Sequence, residues 1–519
     1  MRLLLAAVLA LSLAAGCLSE GPAPAPPADP GPGADAFEPS PASDAAAPPP
    51  GCDPSKPIVL HHFNGTSAAT FPGPRPVACY HPTGQQTGEP ALGILSDGTV
   101  FIGPGQPVFA PTSKVGVLRT ADQGQTWDLL YPDVAGTGVA SHQSTLDPYL
   151  YVDPKTDRVW AEDLSPAVNV AVNSWSDDGG QAWTTGYAGG FEADHVTVFS
   201  GPPVTSQTLG YPDVVYRCAI AAGATAGLSF AIVCQRSLDG GMTWLPHGEP
   251  AYTYLAGFIG PYAPVDSPLL EPCWSGNGHG FTDPEGRVYL PRGHCGQPYL
   301  AWSDDEGLTW TRKQVAQIGT TCVPPKDLCE HDAGVGVDAA GTLYFAWVAF
   351  DRHLYLTRSF DRGETWDAPR QVGVPGGTEF THVQLAAGGK GKIAFVYYAT
   401  KNGPAIPWQD GYEETTWDAY MAVSYDADAA DPTFATVQMD TPGDPMVRHQ
   451  CGPVRCDGLY DYIDIRIAPD GSPWSPLVDA CTGKCVQDAG SVNNDAAAAG
   501  GRLWNVDLWD VSDPNGPYP

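Results

Sequence analysis

The stretch Thr-Ala-Asp-Gln-Gly-Gln-Thr-Trp at residues 120–127 contains the pattern that decides the fold, Ser/Thr-x-Asp-x-Gly-x-x-Trp. The pattern returns at residues 176–183, 237–244, 303–310 and 359–366. Each copy predicts a tight turn, because aspartate accepts backbone hydrogen bonds, glycine adopts a left-handed backbone and tryptophan anchors the turn in an apolar core. Five copies indicate a repeat architecture. Their aspartates are Asp122, Asp178, Asp239, Asp305 and Asp361.

Each copy lies near the end of a unit of four short strands, and the units recur about every 60 residues. The unit of the first copy begins at Ala91, and two more units follow the last copy, at residues 382–424 and 461–508, which makes seven. The sequence therefore predicts an all-β propeller of four-stranded blades, with seven blades favoured over six. The apolar segment Pro57–His62 is predicted to pair with the last unit and close the ring.

The repeated pattern resembles the Asp-box, or BNR repeat, of the sialidase-like superfamily, from about Glu89 to the C-terminus. The resemblance implies a β-propeller and, by family name, an exo-sialidase. The same box occurs in sortilin-type receptors and some xyloglucanases, so it specifies fold better than reaction. A sialidase also needs three arginines, a tyrosine nucleophile and acidic partners. The family's Arg-Ile-Pro motif would fall near Glu89-Pro90-Ala91, where no arginine stands, and we assign no catalytic residue.

The N-terminus divides into three predicted segments. Residues 1–16 have the charged start and apolar run of a signal peptide, and the string that ends at Cys17 resembles a lipobox. Cys17 would then carry lipid, residues 17–51 would form a Pro/Ala-rich tether, and residues 52–519 would form the propeller. This predicts an extracytoplasmic protein that is lipid-anchored to the cell membrane; a plain secretory signal is the alternative.

The twelve remaining cysteines suggest six disulfides, as expected for an exported chain. Metal ligation is the competing use, but no CxxC…CxxC spacing occurs. The spacing favours the pairs Cys52 with Cys79, Cys218 with Cys234, Cys273 with Cys295, Cys322 with Cys329, Cys451 with Cys456, and Cys481 with Cys485.

The formal net charge of −32 argues against nucleic acid or anionic lipid as partners for the body of the protein, and it disfavours an anionic substrate. The same charge also fits a highly solvated extracellular surface. We expect a monomer whose membrane contact is the lipid anchor alone.

Long loops are predicted on the face opposite the five turns, which we call the working face. Aligning the first strand of each unit gives one equivalent position that should face the central funnel. The positions are Glu89, Asp147, His195, Asn277, Asp332, His382 and about Tyr462, with Asp461 adjacent.

This ring predicts a polar sugar-binding funnel or a cation site, with Ca²⁺ as a possible ion and no cofactor required. The alternative is a solvated channel mouth whose acids cap strand ends. Two functional hypotheses follow. The first is a glycan-directed surface protein, either a sialidase-type glycoside hydrolase or a binding descendant; the second is a non-catalytic adhesion or receptor propeller that binds protein or cations through its loop face.

Overall fold

The computed structural model describes residues 47–105, 116–132, 148–165, 170–188, 192–221, 231–252, 278–294, 297–318, 333–349, 351–403, 415–448, 459, 462–487 and 496–511. All of them belong to the larger of two compact units, Phe37–Pro519. The signal peptide, Cys17 and most of the tether lie outside the described residues.

The first half of the described chain forms a series of short strands. Before the first blade come β1 (Cys52–Asp53), β2 (Ile58–His61), a 3-10 helix (Phe63–Gly65) and β3 (Val77–Gln86). The first blade has β4 (Ala91–Ile94), β5 (Val100–Gly103), β6 (Val117–Thr120) and β7 (Asp128–Leu130). The second has β8 (Tyr149–Val152), β9 (Val159–Ser165), β10 (Val170–Ser176) and β11 (Thr184–Ala188). The third has β12 (Glu192–Gly201), β13 (Val214–Ala221) and β14 (Ile232–Ser237).

The second half continues the same series. The fourth blade has β15 (Phe281–Thr282), β16 (Val288–His294), β17 (Gln297–Ser303) and β18 (Thr311–Gln314). The fifth has β19 (Ala333–Val337), β20 (Leu343–Val348), β21 (Leu354–Ser359) and β22 (Arg370–Gln371). The sixth has β23 (Glu379–Ala387), β24 (Ile393–Thr400), β25 (Thr416–Ser424) and β26 (Phe434–Gln438), followed by β27 (Val447–Arg448). The seventh has β28 (Arg466–Ile467), β29 (Pro473–Asp479), helix α1 (Lys484–Gln487) and β30 (Ala497–Trp504).

Within the described residues these strands form seven antiparallel sheets, most of them four-stranded in sequence order. The first strands β4, β8, β12 and β15 contact one another in turn, the fourth blade contacts the fifth through β16 and β19, and β19, β23, β28 and β4 complete the circle. The first strands therefore surround a common axis. The fold is a seven-bladed β-propeller, which confirms the predicted class and blade number.

The prediction that Pro57–His62 closes the ring was wrong. The strand at these residues, β2, pairs with β26 and extends the outer edge of the sixth blade. The seventh blade is completed instead by β3, which pairs with β30 from Val77↔Trp504 to Gln86↔Ala497. β3 is ten residues long and its Cys79 is bonded to Cys52, whereas β2 has four residues and one exposed hydrophobic, Val59. The longer segment buries more surface and pairs more backbone.

The five predicted turns share one hydrogen-bond pattern. In every copy the Ser or Thr hydroxyl donates to the aspartate Oδ1 at 2.8 Å. The glycine amide donates to that hydroxyl oxygen at 2.7–2.9 Å, and the glycine φ lies between 80° and 96°. The aspartate also accepts the amide of the residue four positions later, at 2.8–2.9 Å. One carboxylate therefore organises each turn, as the sequence predicts.

In the turn at residues 237–244 the glycine is also required by the packing between blades. At Gly241 an added Cβ would lie 2.2 Å from the ring of Trp160, which is 1% exposed in the neighbouring blade. The tryptophans that end the turns pack into the apolar clusters between blades, and Trp183 and Trp310 are each 7% exposed. Turn and core are thus fixed by the same eight residues.

Replacing Asp305 by alanine is expected to lower the free energy of unfolding by about 1–3 kcal/mol. The change removes the acceptor of the Ser303 hydroxyl, the Thr309 amide and the Thr309 hydroxyl. Urea unfolding measures the loss, and Asp128→Ala on β7, an exposed aspartate, is the control. Equal stability of both variants would contradict the role given to the turn carboxylate.

Three of the six predicted disulfides lie within the described residues, and all three have the predicted pairing. They join Cys52 to Cys79, Cys218 to Cys234 and Cys481 to Cys485. The cysteines of the other three predicted pairs lie outside the described residues, so these pairs stay predictions: Cys273 with Cys295, Cys322 with Cys329, and Cys451 with Cys456.

No helix in the described part of the chain has the length and apolarity needed to cross a membrane.

Candidate functional site

The hairpin turns between the first and second strands put the blades in a common register. The amide that closes this turn belongs to Leu95, Asp153, Asp283, Asp338, Gly388 and Ala468 in six of the blades. The residue six positions before each of these amides is the predicted funnel position. The residue four positions before each amide is a second position, which we call the second axial position. In the third blade the pairing Ser200↔Val215 gives the same alignment.

At the predicted funnel position three of the described residues share a distinctive backbone. Glu89, His195 and His382 all have left-handed φ, at 53°, 55° and 51°, and are 1%, 3% and 3% exposed. The register of strand pairing shifts at His195 in β12 and at His382 in β23, so each strand has a bulge there. The alignment thus identifies real equivalents. Asp147, Asn277, Asp332 and Asp461 lie outside the described residues, so a common binding site formed by the seven positions stays a prediction.

The second axial position carries the polar contacts that meet at the centre. Its members are Ala91, Tyr149, Thr197, His279, Gly334, Gln384 and Asp464. His279 of the fourth blade lies 3.2 Å from Asp464 of the seventh, measured from Nδ1 to Oδ1. These blades are not neighbours in the ring, so the two side chains meet across the axis. We call Tyr149, His279, Tyr462, Asp464 and Arg466 the axial cluster.

Asp464 is the hub of the axial cluster. Its side chain is 2% exposed, and its Oδ2 accepts the Leu92 amide at 3.0 Å and lies 3.1 Å from Nη2 of Arg466. Its Oδ1 accepts the amide of Ile465 at 2.8 Å. One carboxylate therefore ties the inner strands of the seventh, first and fourth blades together.

Two tyrosines hold the imidazole of His279. The rings of Tyr149 and Tyr462 contact it edge to face, with centroids at 5.2 Å and 5.4 Å. Tyr462 donates its hydroxyl to the carbonyl of Pro148 at 2.6 Å, and Thr197 donates to the hydroxyl of Tyr149 at 3.3 Å. The imidazole is thus fixed in position by four blades.

The charges of the axial cluster are set by burial and mutual contact. Burial raises the pKa of Asp464, but Arg466 and His279 outweigh burial and hold that pKa below its usual value. Burial raises the pKa of Tyr149 to about 12. At neutral pH the cluster therefore combines the Asp464 carboxylate, the Arg466 guanidinium and a neutral phenol at Tyr149.

The described arginines near the working face already have protein partners. Nε of Arg217 donates to Glu162, and Nε of Arg352 lies 3.3 Å from Glu379. Arg292 lies over the ring of Tyr252 at 5.2 Å, and Arg448 donates to the carbonyl of Val486 at 3.2 Å. Each of these four arginines therefore has at least one contact within the protein.

One group of potential metal ligands is found in the described part of the chain, Cys52, Cys79 and His81. The two cysteines form a disulfide and are unavailable as thiolates. The described funnel residues Glu89, His195 and His382 do not belong to this group. The predicted Ca²⁺ site involves residues outside the described ranges and stays a prediction.

A second carboxylate site lies where β25 begins and β26 ends, near the working face. Burial and the neighbouring Asp418 raise the pKa of Asp440, which is 3% exposed. Asp440 accepts one hydrogen bond from the backbone amide of Ala419 at 2.9 Å and another from Nε2 of Gln438 at 3.0 Å. Burial also raises the pKa of the nearby Asp479 to about 6. The folded protein therefore keeps protons that the unfolded chain releases near pH 4.

We expect the contribution of Asp440 and Asp479 to the free energy of unfolding to fall as pH rises from 5 to 7, because these two carboxyl groups bind more protons in the native state than in the unfolded state in this range. Asp440→Asn should flatten this dependence and raise stability at pH 7 by about 1 kcal/mol or more. Urea unfolding at several pH values measures both effects. Asp304→Asn, at a side chain 61% exposed, is the control. Superimposed curves for wild type and Asp440→Asn would refute the assignment.

Comparisons with known proteins give fold neighbours only. No protein-family model matches the chain, and no curated protein matches it. Among solved structures, a Dyadobacter fermentans protein of unknown function is 14% identical, covering 88% of this chain and 99% of its own, with a TM-score of 0.38. The intramolecular trans-sialidase of Ruminococcus gnavus is 14% identical, covering 79% of this chain and 93% of its own, with a TM-score of 0.37. The Aleuria aurantia lectin, in complex with Fucα1-6GlcNAc, is 10% identical, covering 70% of this chain and 99% of its own, with a TM-score of 0.39. Similarity at this level assigns no activity.

Proposed function

We propose that this protein is an extracytoplasmic, lipid-anchored propeller that binds neutral glycans at the centre of its working face. The observation that carries the proposal is the axial cluster, in which acceptors and donors from several blades meet beside aromatic rings. Saccharide sites combine such polar groups with aromatic surfaces. The three described disulfides are consistent with an exported protein.

The charges of the protein fit the binding of a neutral glycan better than they fit sialidase catalysis. A sialoside carries a carboxylate, which needs arginines that are free to bind it. The four arginines described above are engaged within the protein, and Glu89 and Asp464 place acids near the axis. The net charge of −32 also disfavours an anionic ligand.

The test uses the chain from residue 47 and three probes: methyl α-L-fucoside, lactose and 3′-sialyllactose. Calorimetric titration should show binding of at least one neutral sugar, with weaker binding of the sialoside. A fluorogenic sialoside should show no turnover at high protein concentration. Turnover that is lost on replacing Arg352 or Arg448 would establish a sialidase instead, and no binding of any probe would favour an adhesion propeller that binds protein.

The lipid anchor is a separate part of the proposal. In cells fed a labelled fatty acid, the full chain should incorporate label and stay with the membrane fraction. Cys17→Ser should abolish labelling, because the acceptor thiol is lost. Label retained by the variant, or none in the full chain, would instead support a plain secretory signal.

A further inference from the structure

His279 has one ring nitrogen that the protein does not use. Its Nδ1 contacts Asp464, and an imidazole places Nε2 on the other side of the ring from that contact. Nε2 is buried and has no partner among the described residues, and the side chain as a whole is 10% exposed. A buried polar nitrogen without a partner is unfavourable, and a hydrogen-bond donor from outside the chain would remove this cost.

The contact with Asp464 decides which role Nε2 can play. An ionised carboxylate only accepts hydrogen bonds, so Nδ1 of His279 must be the protonated nitrogen. In the neutral ring Nε2 is then an acceptor. Tyr149 and Tyr462 pack against the ring and fix its direction. The acceptor is preorganised for a donor such as a hydroxyl group.

A second observation comes from the same axial position in another blade. Gln384 stands in the sixth blade where His279 stands in the fourth, and it is 4% exposed. Its Nε2 is buried and also lacks a partner in the described part of the chain. At this axial position two blades thus carry a buried nitrogen without a described partner. Nε2 of His279 is an acceptor in the neutral ring, and Nε2 of Gln384 is a donor. A hydroxyl group, which both donates and accepts, can bond to either kind of nitrogen.

We propose that Nε2 of His279 binds a hydroxyl group of a saccharide on the propeller axis, with Asp464 as the positioning residue that selects the tautomer. This inference rests on the proposed function and names the subsite within it. A bound water would present the same O–H donor. The two sources differ in one respect: only a sugar contact makes saccharide affinity depend on His279.

The experiment titrates the chain from residue 47 with methyl α-L-fucoside, lactose and 3′-sialyllactose. His279→Phe keeps a ring between the two tyrosines but removes Nε2, and His279→Gln offers a smaller second replacement. Both should weaken binding of the sugar that wild type prefers by about tenfold or more. His81→Gln is the matched control, because His81 is 4% exposed, its Nε2 also lacks a described partner, and it lies on the outer strand β3.

Asp464→Asn tests the positioning role with a readout that packing alone would not move. Ring ¹⁵N shifts of labelled histidine should show Nδ1 protonated and Nε2 unprotonated for His279 in wild type. An asparagine can donate to Nδ1, so the variant should shift the ring toward the Nε2-protonated tautomer and weaken sugar binding.

The outcomes separate the inference from the proposed function. Sugar binding that both His279 variants keep at wild-type affinity would leave glycan binding intact and overturn the axial subsite, assigning Nε2 to water. A His279 ring protonated on both nitrogens in the free protein at neutral pH would also overturn it. If none of the three probes binds wild type, the proposed function and the subsite fall together. Selective loss in the His279 variants, with His81→Gln unchanged, supports both.

Discussion

A chain that begins at residue 88 is expected to be insoluble or to lack a cooperative unfolding transition, whereas a chain that begins at residue 47 should fold. The shorter chain loses β1, β2 and β3, and with them the strand that pairs with β30. The seventh blade would then end in an unpaired edge at Ala497–Trp504, next to the apolar cluster around Leu503. Exposed edges of this kind promote aggregation.

Soluble yield, size-exclusion chromatography and thermal melting followed by circular dichroism measure this effect. A third chain that begins at residue 77 keeps β3 but lacks β1, β2 and Cys52, and it should have intermediate stability. This intermediate separates closure by β3 from the contribution of the disulfide and β2. A monomeric chain from residue 88 with the melting temperature of the longest chain would contradict the closure assigned to β3.

The second large effect is expected at the ion pair between Glu162 and Arg217, which links the second strands of the second and third blades. Their side chains are 1% and 0% exposed, and Arg217 donates to Glu162 through Nε. Removing one partner takes the opposite charge of this contact away from the other, which stays buried. Glu162→Gln and Arg217→Met should therefore each lower the free energy of unfolding by about 3–5 kcal/mol.

The double variant Glu162→Gln with Arg217→Met should cost clearly less than the sum of the single changes, because it leaves no buried charge. Urea unfolding of the four proteins gives this coupling energy. Asp177→Asn is the matched control, since its partner Arg158 is also in the second blade but Asp177 is 58% exposed, and the loss should stay below about 1 kcal/mol. Additive single and double effects would contradict a direct pair.

The repeated turn predicted most of the fold because it is a local structure. Hydroxyl, aspartate and glycine lie within five residues of one another, so Ser303, Asp305 and Gly307 already contain the geometry that the turn adopts. Strand lengths and blade number followed from the spacing of these turns. The closing strand did not follow, because the choice between β2 and β3 depends on pairing across more than 400 residues, as in Cys79↔Arg502.

The candidate site could be predicted only in part. Alignment of the first strands found Glu89, His195 and His382, whose shared left-handed backbone shows that they are equivalent. It did not select Asp464 or Arg466, because His279 meets Asp464 across the ring rather than along the chain. A signal was present two residues after the predicted funnel position in four of the seven blades, where the polar residues Tyr149, His279, Gln384 and Asp464 stand. A polar residue inside such a strand marks a buried contact.

The most direct test of the account is a crystal structure of the chain from residue 47 grown with the sugar that binds most tightly. We expect sugar density on the propeller axis at the working face, with a hydroxyl group within hydrogen-bonding distance of Nε2 of His279. Sugar density confined to the face of the five turns, or to the outer edge of a blade, would contradict it.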